Sequence, residues 1–393
     1  MTQIVVTGLG AVSPFGVGVK AYWDGVRSGT CAIRPVTLIE ADGFRCRIAA
    51  EVPGPLPGSA RRSRGDRMAL GAAREALDDA GLGACERREM ALIVGAVGGG
   101  MLEGEAWYWA LKRGGRRLRA PQLSLRSILP WSHAEVIGSR LGLEGPRETI
   151  VTACSSGAAS LAIAADLVAD GVVPAALAGG ADTLTRLCFM GFNALRLLDP
   201  DPCRPFDRDR RGMSIGEGAA FVVLEDAAHA RARGARVYAE LAGYGMTTDA
   251  FHVTSPHPAG EGMVRAMQAA LARARVEPGA VGYANAHGTG TLQNDRIEAG
   301  ALREVFGDGG LLVSSTKSMI GHTMAAAGSL EAVATVLALV NETVPPTAHL
   351  TTPDPEVAFD CVPGAAREVS LECAISNSFG FGGQNVTLLF RCP

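Results

Sequence analysis

The stretch Val151-Thr152-Ala153-Cys154-Ser155-Ser156-Gly157 is the segment of this chain that best indicates its fold and chemistry. A β-branched approach over residues 149–151 runs into small residues, and a helix-forming run over 158–165 follows them. Cys154 is therefore predicted at a strand-to-helix turn, where free N–H groups and the positive end of the helix dipole favour thiolate over thiol. The alternative is a buried structural cysteine, since free cysteine is among the most buried residue types. This segment alone leaves both interpretations open.

The composition of the chain limits the setting of that cysteine. Its 393 residues suffice for two domains or one large α/β assembly, and a net charge of −3 gives no indication of a nucleic-acid partner. Nine cysteines without a CxxC pair predict a reducing compartment rather than a disulfide framework. The two longest apolar runs are interrupted by Asp166 and Glu331, so we predict no membrane span. A strand-like segment starts at Ile4 and leaves no room for a signal peptide, so we expect a cytoplasmic protein.

Strand-like and helix-like segments alternate along the chain, which predicts an α/β fold. They form two successive series, and we expect two similar halves in one compact unit: residues 1–235, which carry the cysteine, and residues 236–393. The early Thr7-Gly8-Leu9-Gly10 resembles part of a dinucleotide-binding fingerprint, but Ser13 replaces its third glycine. We interpret this glycine-rich segment as a tight turn at the end of a strand.

Three further segments bear on the role of the cysteine. They are 285–291 (NAHGTGT), 314–322 (SSTKSMIGH) and 377–385 (NSFGFGGQN), and each is predicted at a strand exit, where α/β folds place ligands. A Cys–His–Asn hydrolase needs only one histidine, and a metal site would favour shorter ligand spacings with a carboxylate or second thiolate. Acyl transfer onto cysteine followed by carbanion attack can use both histidines, because two neutral imidazoles can stabilise the enolate formed when a β-carboxy thioester loses CO2. We therefore favour this chemistry and predict no catalytic metal.

These four segments, in this order, resemble those of the β-ketoacyl-acyl carrier protein synthases, within the thiolase-like condensing enzymes. The resemblance runs from Val6 to Asn385 and includes residues 206–219 and 249–256. It implies a duplicated five-layer α/β/α/β/α fold and decarboxylative Claisen condensation, with an acyl carrier protein as partner. It also implies a dimer, formed by two copies or with a chain-length-factor-like paralogue. No organic cofactor is implied, because phosphopantetheine arrives on the carrier protein, but a structural monovalent cation would fit the resemblance.

The resemblance assigns a role to each candidate catalytic residue. Cys154 is the nucleophile that takes the acyl group from the carrier protein. His287 and His322 bind the extender thioester, promote loss of CO2 and stabilise the enolate. Lys317 matches a lysine that orders the His322 loop.

Other positions match family residues around the substrate channel. The backbone N–H groups of Cys154 and Phe381 would form the oxyanion hole. Phe379, Phe381 and Phe192 resemble gating aromatics, with core packing as the alternative for the first two. Val97 matches the tunnel floor, where a small residue would permit a longer acyl chain. The remaining matches are channel-lining hydroxyls and polar groups behind the histidine loops: Thr289, Thr291, Ser255, Asp295, Glu298, Glu331 and Asn385.

Three of these matches are carboxylates that we expect to support the site without touching substrate. We interpret Asp295 and Glu298 as groups that position Lys317 or a water, and Glu331 as half of an ion pair or a cation ligand. The chain departs from the family pattern at Leu292-Gln293 and at Gln384, which affects substrate fit rather than catalysis.

A basic run that includes Arg116 and Arg117, together with Arg196, matches the region around the carrier-protein entrance. Because carrier proteins are acidic, we predict a docking patch there, and a solvated charged face is the alternative.

Three functions are compatible with some or all of these motifs. The leading one is an elongating synthase of fatty-acid or type II polyketide assembly. A non-catalytic partner that sets chain length is the second, and Cys154 argues against it because such partners typically lack the cysteine. A degradative thiolase is the third, and it would need a second reactive cysteine, for which Cys373 has the wrong surroundings.

Overall fold

The computed structural model describes residues 2–113 and 126–393. Its strands are β1 (Ile4–Ser13), β2 (Gly16–Val17), β3 (Arg34–Pro35), β4 (Ile48–Ala49), β5 (Ala91–Gly95), β6 (Arg147–Ile150), β7 (Ala175–Asp182), β8 (Gly218–Asp226), β9 (Ala239–Thr248), β10 (Val281–Asn285), β11 (Leu312–Ser314), β12 (Thr343–Val344), β13 (Arg367–Glu368), β14 (Cys373–Gly380) and β15 (Gln384–Arg391). The helices within these described ranges are α1 (Val19–Arg27), α2 (Arg64–Asp79), α3 (Ala84–Glu89), α4 (Met101–Lys112), α5 (Ser132–Leu141), α6 (Ser156–Ala169), α7 (Arg186–Ala194), α8 (Ala227–Ala232), α9 (Glu261–Ala274), α10 (Leu292–Phe306), α11 (Lys317–Ile320) and α12 (Ala327–Val340).

The main strands follow one plan twice. Their spatial order is β11-β10-β14-β15-β9-β1-β8-β7-β5-β6, so within each half the strands are arranged third, second, fourth, fifth, first. In both halves the second strand pairs in parallel with its two neighbours, and the remaining pairs are antiparallel. The halves join where Val5 and Val6 of β1 pair with Glu240 and Ala239 of β9. This duplicated α/β arrangement confirms the predicted fold class.

Helices cover the two five-stranded halves on both faces. Helix α2 packs on β1 and β8, and α9 packs on β9 and β15. The two most apolar helices, α6 and α12, contact strands of both halves and each other, so they form the central layer. Nearly every residue of α12 is buried, which explains why its sequence shows no polar face. The order helix, sheet, helix, sheet, helix is the predicted five-layer arrangement.

The two central helices meet at a pair of glycines near their first turns. A Cβ on Gly157 would lie 2.6 Å from the carbonyl oxygen of Ala325, and one on Gly328 would lie 2.8 Å from the backbone N of Ala158. Because no side chain fits at either position, the two helix starts approach through their backbones. This contact brings the loop that carries Cys154 beside the loop that carries the second histidine.

The prediction for the early glycine-rich segment was wrong. Residues 7–10 lie inside β1, which continues to Ser13 instead of ending in a turn. The glycines there serve packing: a Cβ on Gly8 would lie 2.2 Å from a carbonyl oxygen of α2. A close strand–helix contact therefore produces the pattern that resembles a dinucleotide fingerprint. In the two described ranges, none of the helices is long and apolar enough to cross a membrane.

Candidate active site

Cys154 occupies a strained turn between β6 and α6. Ala153 has a φ of 51°, which is unfavourable for a residue with a side chain, and a 3-10 turn over Ala153–Ser155 leads into the helix. The hydroxyl of Ser156 accepts a hydrogen bond from Thr152 N at 2.9 Å and fixes the start of the turn. As a result, Cys154 stands at the predicted strand-to-helix junction with only 8% of its surface exposed.

The environment of the thiol favours its protonated form. Burial raises the pKa of Cys154 to about 12, against the opposing effects of the Lys317 charge and a hydrogen bond from the Phe381 N–H. The expectation that the helix start would favour a thiolate was therefore wrong for the resting protein, because desolvation outweighs the nearby positive groups.

The two predicted histidines lie side by side in front of this thiol. His287 follows β10 and His322 follows α11, and their ring centroids are 5.3 Å apart at an angle of 86°. Burial, reinforced by the charge of Lys317, holds the pKa of both imidazoles well below the usual histidine value. The N–H of Met324 donates to Nδ1 of His322 at 3.2 Å, so the proton of this neutral ring is on Nε2. The site thus contains the neutral imidazoles that enolate stabilisation requires.

Lys317 forms a buried ion pair with Glu331. Each side chain is about 1% exposed, and Nζ of Lys317 donates to Oε1 of the carboxylate. Burial raises the pKa of Glu331 to about 7, although the Lys317 charge acts in the opposite direction. Of the two interpretations of Glu331, the ion pair is present in this structure.

The other two carboxylates support the His287 loop. Glu298 accepts hydrogen bonds from the backbone N–H groups of His287 and Gly288, each at 2.8 Å. Asp295 accepts one from Gly290 at 3.1 Å and a further one from a neighbouring loop. These hydrogen bonds hold the backbone of the His287 loop. That the two carboxylates also position Lys317 or a water stays a prediction.

The phenylalanine loop closes over the thiol. A Cβ on Gly380 would lie 3.3 Å from Cys154 N, so the absence of a side chain lets this loop reach the nucleophile. The ring of Phe381 packs 5.8 Å from that of Phe192, centroid to centroid, and the ring of Phe379 packs 5.8 Å from that of His287. Phe379 is also part of the core of the second half, so it has both a packing contact and a contact with the site.

These groups surround one cavity of about 370 Å³. It is lined by Cys154, both histidines and the three phenylalanines, and also by the predicted Thr289, Thr291, Ser255, Asn385 and Arg196. Val97 does not line it and lies half-buried after β5, so the tunnel-floor prediction is not met by this cavity. Sequence reasoning missed several lining residues, among them Leu197, Met213 and Met263. They are apolar residues from separate elements with no local pattern to mark them.

Several predicted polar residues have defined positions around the cavity. The hydroxyls of Thr289 and Thr291 are 2.9 Å apart, and Thr291 also caps α10 by accepting from Asn294 N. Asn385 donates to Asp249 at 2.7 Å and so ties the phenylalanine loop to a second rim loop. Arg196 is exposed at the cavity, whereas the predicted docking residues Arg116 and Arg117 lie outside the described residues.

In the described ranges, buried oxygen atoms without hydrogen-bond partners occur on Glu331 and on two residues of neighbouring strands. Oε2 of Glu331, Oδ1 of Asn285 and Oγ of Ser376 have no hydrogen-bond partner among the described residues. Asn285 and Ser376 are paired across β10 and β14, and the Asn285 amide reaches the Glu331 carbonyl at 3.5 Å. Carboxylate, amide and hydroxyl oxygens are ligands of hard cations, so these residues fit the implied monovalent cation.

Comparison with known proteins places this site in a family. The model for the β-ketoacyl synthase N-terminal domain matches residues 1–230, and that for the C-terminal domain matches residues 238–351. The chain is 39% identical to 3-oxoacyl-[acyl-carrier-protein] synthase 2 of Synechocystis sp., covering 99% of this chain and 98% of that protein.

Two solved structures share the fold along the whole chain. The ishigamide ketosynthase/chain length factor is 36% identical with a TM-score of 0.93, covering 100% of this chain and 99% of that one. A type II PKS acyl-carrier protein in complex with its ketosynthase bound to the hexaketide is 32% identical with a TM-score of 0.91, covering 100% of both chains. With both domain models matched and a full-length relative at this identity, the chain belongs to the β-ketoacyl synthase family.

Proposed function

We propose that this protein condenses an acyl chain held on Cys154 with malonyl-acyl carrier protein, releasing CO2 and giving β-ketoacyl-acyl carrier protein for fatty-acid or polyketide biosynthesis. The observation that carries this proposal is the cavity shared by Cys154, His287 and His322, with both imidazoles neutral. A hydrolase would not need the second imidazole, whereas enolate formation uses both as N–H donors.

In the first half-reaction the sulfur of Cys154 attacks the carbonyl carbon of an acyl-pantetheine thioester. The tetrahedral oxygen accepts hydrogen bonds from the N–H groups of Cys154 and Phe381, which meet at the side-chain-free position Gly380. The C–S bond to pantetheine then breaks, and the proton from Cys154 leaves with the departing thiol. The raised thiol pKa means that this proton transfer accompanies the attack.

In the second half-reaction malonyl-pantetheine enters the same cavity. Its thioester oxygen accepts hydrogen bonds from the two imidazoles, and the bond to the carboxylate breaks to give CO2 and an enolate. The enolate carbon attacks the acyl-Cys154 carbonyl, the C–S bond breaks, and a solvent proton restores the thiol. Nε2 of His322 is suited to this role because Nδ1 already accepts the Met324 N–H.

Phenylalanine side chains control access to the thiol in this proposal. Phe192 and Phe381 contact each other across the cavity, one from α7 and one from the loop after β14. Separation of this pair would admit the acyl and malonyl groups in turn. The threonine hydroxyls and Ser255 along the cavity would hold the pantetheine amides.

We extend the proposal to two protein partners. An acyl carrier protein would dock at the exposed rim, where Arg196 lines the cavity mouth. A second subunit, identical or chain-length-factor-like, would cover α4, whose Tyr108 and Trp109 are each 47% exposed, and the edge strand β6. All nine cysteines are free, which supports the proposed cytoplasmic location.

No organic cofactor has a step in the proposed reaction, since pantetheine enters with the carrier protein. A monovalent cation held by Asn285, Glu331 and Ser376 would stabilise the layer behind the site without touching substrate. The unpaired oxygen atoms of these three residues support its presence.

A ketosynthase/chain-length-factor heterodimer is a second arrangement of the same function. Its support is the similarity to the ishigamide ketosynthase/chain length factor, and Cys154 would make this chain the catalytic half. A thiolase role is disfavoured because Cys373 is a buried residue of β14, and burial raises its pKa to about 11.

Mass spectrometry of the purified protein with acyl and malonyl carrier proteins tests the proposal. We expect the acyl mass on Cys154, release of CO2 upon addition of malonyl carrier protein, and a β-ketoacyl product on the carrier. The native mass of the complex also reports whether the second subunit is identical. Absence of both acylation and CO2 release would defeat the proposal.

A further inference from the structure

The two halves repeat the turn that precedes their central helix. Ala153 and Met324 both have positive φ, 51° and 57°, and each begins a three-residue 3-10 turn followed by a 14-residue helix. When the two turns are aligned residue by residue, Cys154 of the first half corresponds to Ala325 of the second. The N–H of Cys154, an oxyanion donor in the proposed mechanism, therefore has a counterpart in the N–H of Ala325.

The fourth strand of each half ends beside the turn of the other half. Strand β14 ends at Gly380, where a Cβ would lie 3.3 Å from Cys154 N. Strand β7 has the same length of eight residues and ends at Asp182, whose Oδ2 accepts from Ala325 N at 3.1 Å. The Asp182 side chain thus fills, beside the turn of the second half, the space that Gly380 leaves empty beside the turn of the first half.

The residues after these strands complete the correspondence. Phe381 follows Gly380, and its N–H lowers the pKa of the Cys154 thiol; Thr183 follows Asp182, and its N–H lowers the pKa of the Asp182 carboxyl in the same way. A third N–H, from Gly98 in the loop after β5, reaches Oδ1 of Asp182 at 2.8 Å. The carboxylate is 1% exposed, so it fills a closed pocket of backbone donors that mirrors the oxyanion hole.

We propose that Asp182 is a positioning residue for decarboxylation, because its carboxylate fixes the turn that carries His322. Ala325 lies three residues after His322, and the intervening Met324 donates its N–H to the imidazole Nδ1. Movement of Ala325 would therefore change the direction of the Nε2–H that the enolate oxygen must meet. This inference rests on the proposed function of Cys154 and His322.

The two half-reactions separate this role from a general effect on folding. In Asp182→Asn the amide nitrogen must face the N–H of either Gly98 or Ala325, and two donors cannot pair. We expect decarboxylation of malonyl carrier protein to slow by about tenfold to a hundredfold, the effect of a misplaced catalytic group. Acylation of Cys154 should not slow, since its own oxyanion hole is intact and the Asp182 charge, which raises the thiol pKa, is removed. Asp182→Gly places at this position the residue found at Gly380. It should likewise slow decarboxylation without slowing acylation, and it replaces Asp182→Asn if that variant does not fold.

Glu75→Gln is the matched control. Glu75 also accepts two backbone N–H groups, from Ala11 at 2.9 Å and Val19 at 2.8 Å, but it does not line the cavity. We expect this variant to retain both half-reactions at wild-type rates. Equal losses of acylation and decarboxylation in the Asp182 variants, or unchanged decarboxylation, would overturn the inference. An inactive wild-type protein would instead defeat the proposed function, so the two failures are distinguishable.

Discussion

Replacement of Gly380 by alanine should close the oxyanion hole, because the new Cβ stands against the backbone of the Cys154 turn. The new Cβ would lie 2.9 Å from Thr152 O and 3.3 Å from Cys154 N, which is the space that the thioester oxygen must enter. An oxygen cannot accept a hydrogen bond from that N–H when a methyl group stands in front of it. Loss of one oxyanion donor lowers kcat by about 10²–10³, equivalent to about 2.7–4 kcal/mol, and we expect a loss of this size.

The assay is single-turnover acylation of Cys154 by an acyl carrier protein, followed by mass spectrometry. Because the change acts on the tetrahedral intermediate, the maximum rate should fall while the concentration giving half-maximal rate changes little. Gly300→Ala is the control: a Cβ there would meet no atom within 4 Å, on helix α10. We expect this control to retain full activity, with a gain in unfolding free energy of up to about 1 kcal/mol.

An acylation rate for Gly380→Ala within about threefold of wild type would refute the reasoning, because the oxyanion would then be stabilised elsewhere. Urea unfolding of the same samples shows whether reduced activity reflects reduced folding. If the acylation rate falls only in proportion to the unfolded fraction, the loss is due to unfolding and Gly380 has no role in the oxyanion hole.

Three further predictions concern the thiol and the ionisable groups around it. Alkylation of Cys154 by iodoacetamide should accelerate about tenfold per pH unit between about pH 7 and pH 10, because a thiol with a pKa raised to about 12 gains thiolate over this whole range. A plateau in the alkylation rate below about pH 9 would contradict the protonated resting state. Lys317→Ala should lower the unfolding free energy by about 3–5 kcal/mol because Glu331 is left buried and unpaired, and denaturant titration should show partial recovery in Lys317→Met/Glu331→Leu. His287→Ala and His322→Ala should each retain acylation of Cys154 but lose CO2 release from malonyl carrier protein, and wild-type CO2 release in both would rule out the proposed enolate binding.

The family resemblance predicted the duplicated fold, and the motifs predicted candidate catalytic residues that the fold brings to one cavity. Cys154 and His287 follow strands β6 and β10, and His322 follows the short helix after β11; segments at strand exits on one side of a sheet converge on one site. Short glycine-rich motifs mark these positions, because the backbone must turn sharply and pass close to its neighbours there.

Pairings between distant residues were harder to predict. Sequence gave no reason to join Lys317 to Glu331 rather than to Asp295 or Glu298, because the choice depends on how α12 packs against the turn before it. The protonation of Cys154 was mispredicted for the same reason, since the extent of burial is set by segments far along the chain. Local patterns identify the functional groups, whereas tertiary packing determines their charge states and partners.

The glycine contact between the starts of α6 and α12 has a consequence for how this enzyme can diversify. The separation between the thiol and imidazole loops is set by main-chain atoms at Gly157 and Gly328, not by side chains that line the cavity. Substitutions at positions such as Met213 or Met263 can therefore reshape the space for the acyl chain without altering the catalytic spacing. Substrate range and chemistry are in this sense separately adjustable, which lets one scaffold accept new chains while its reaction stays the same.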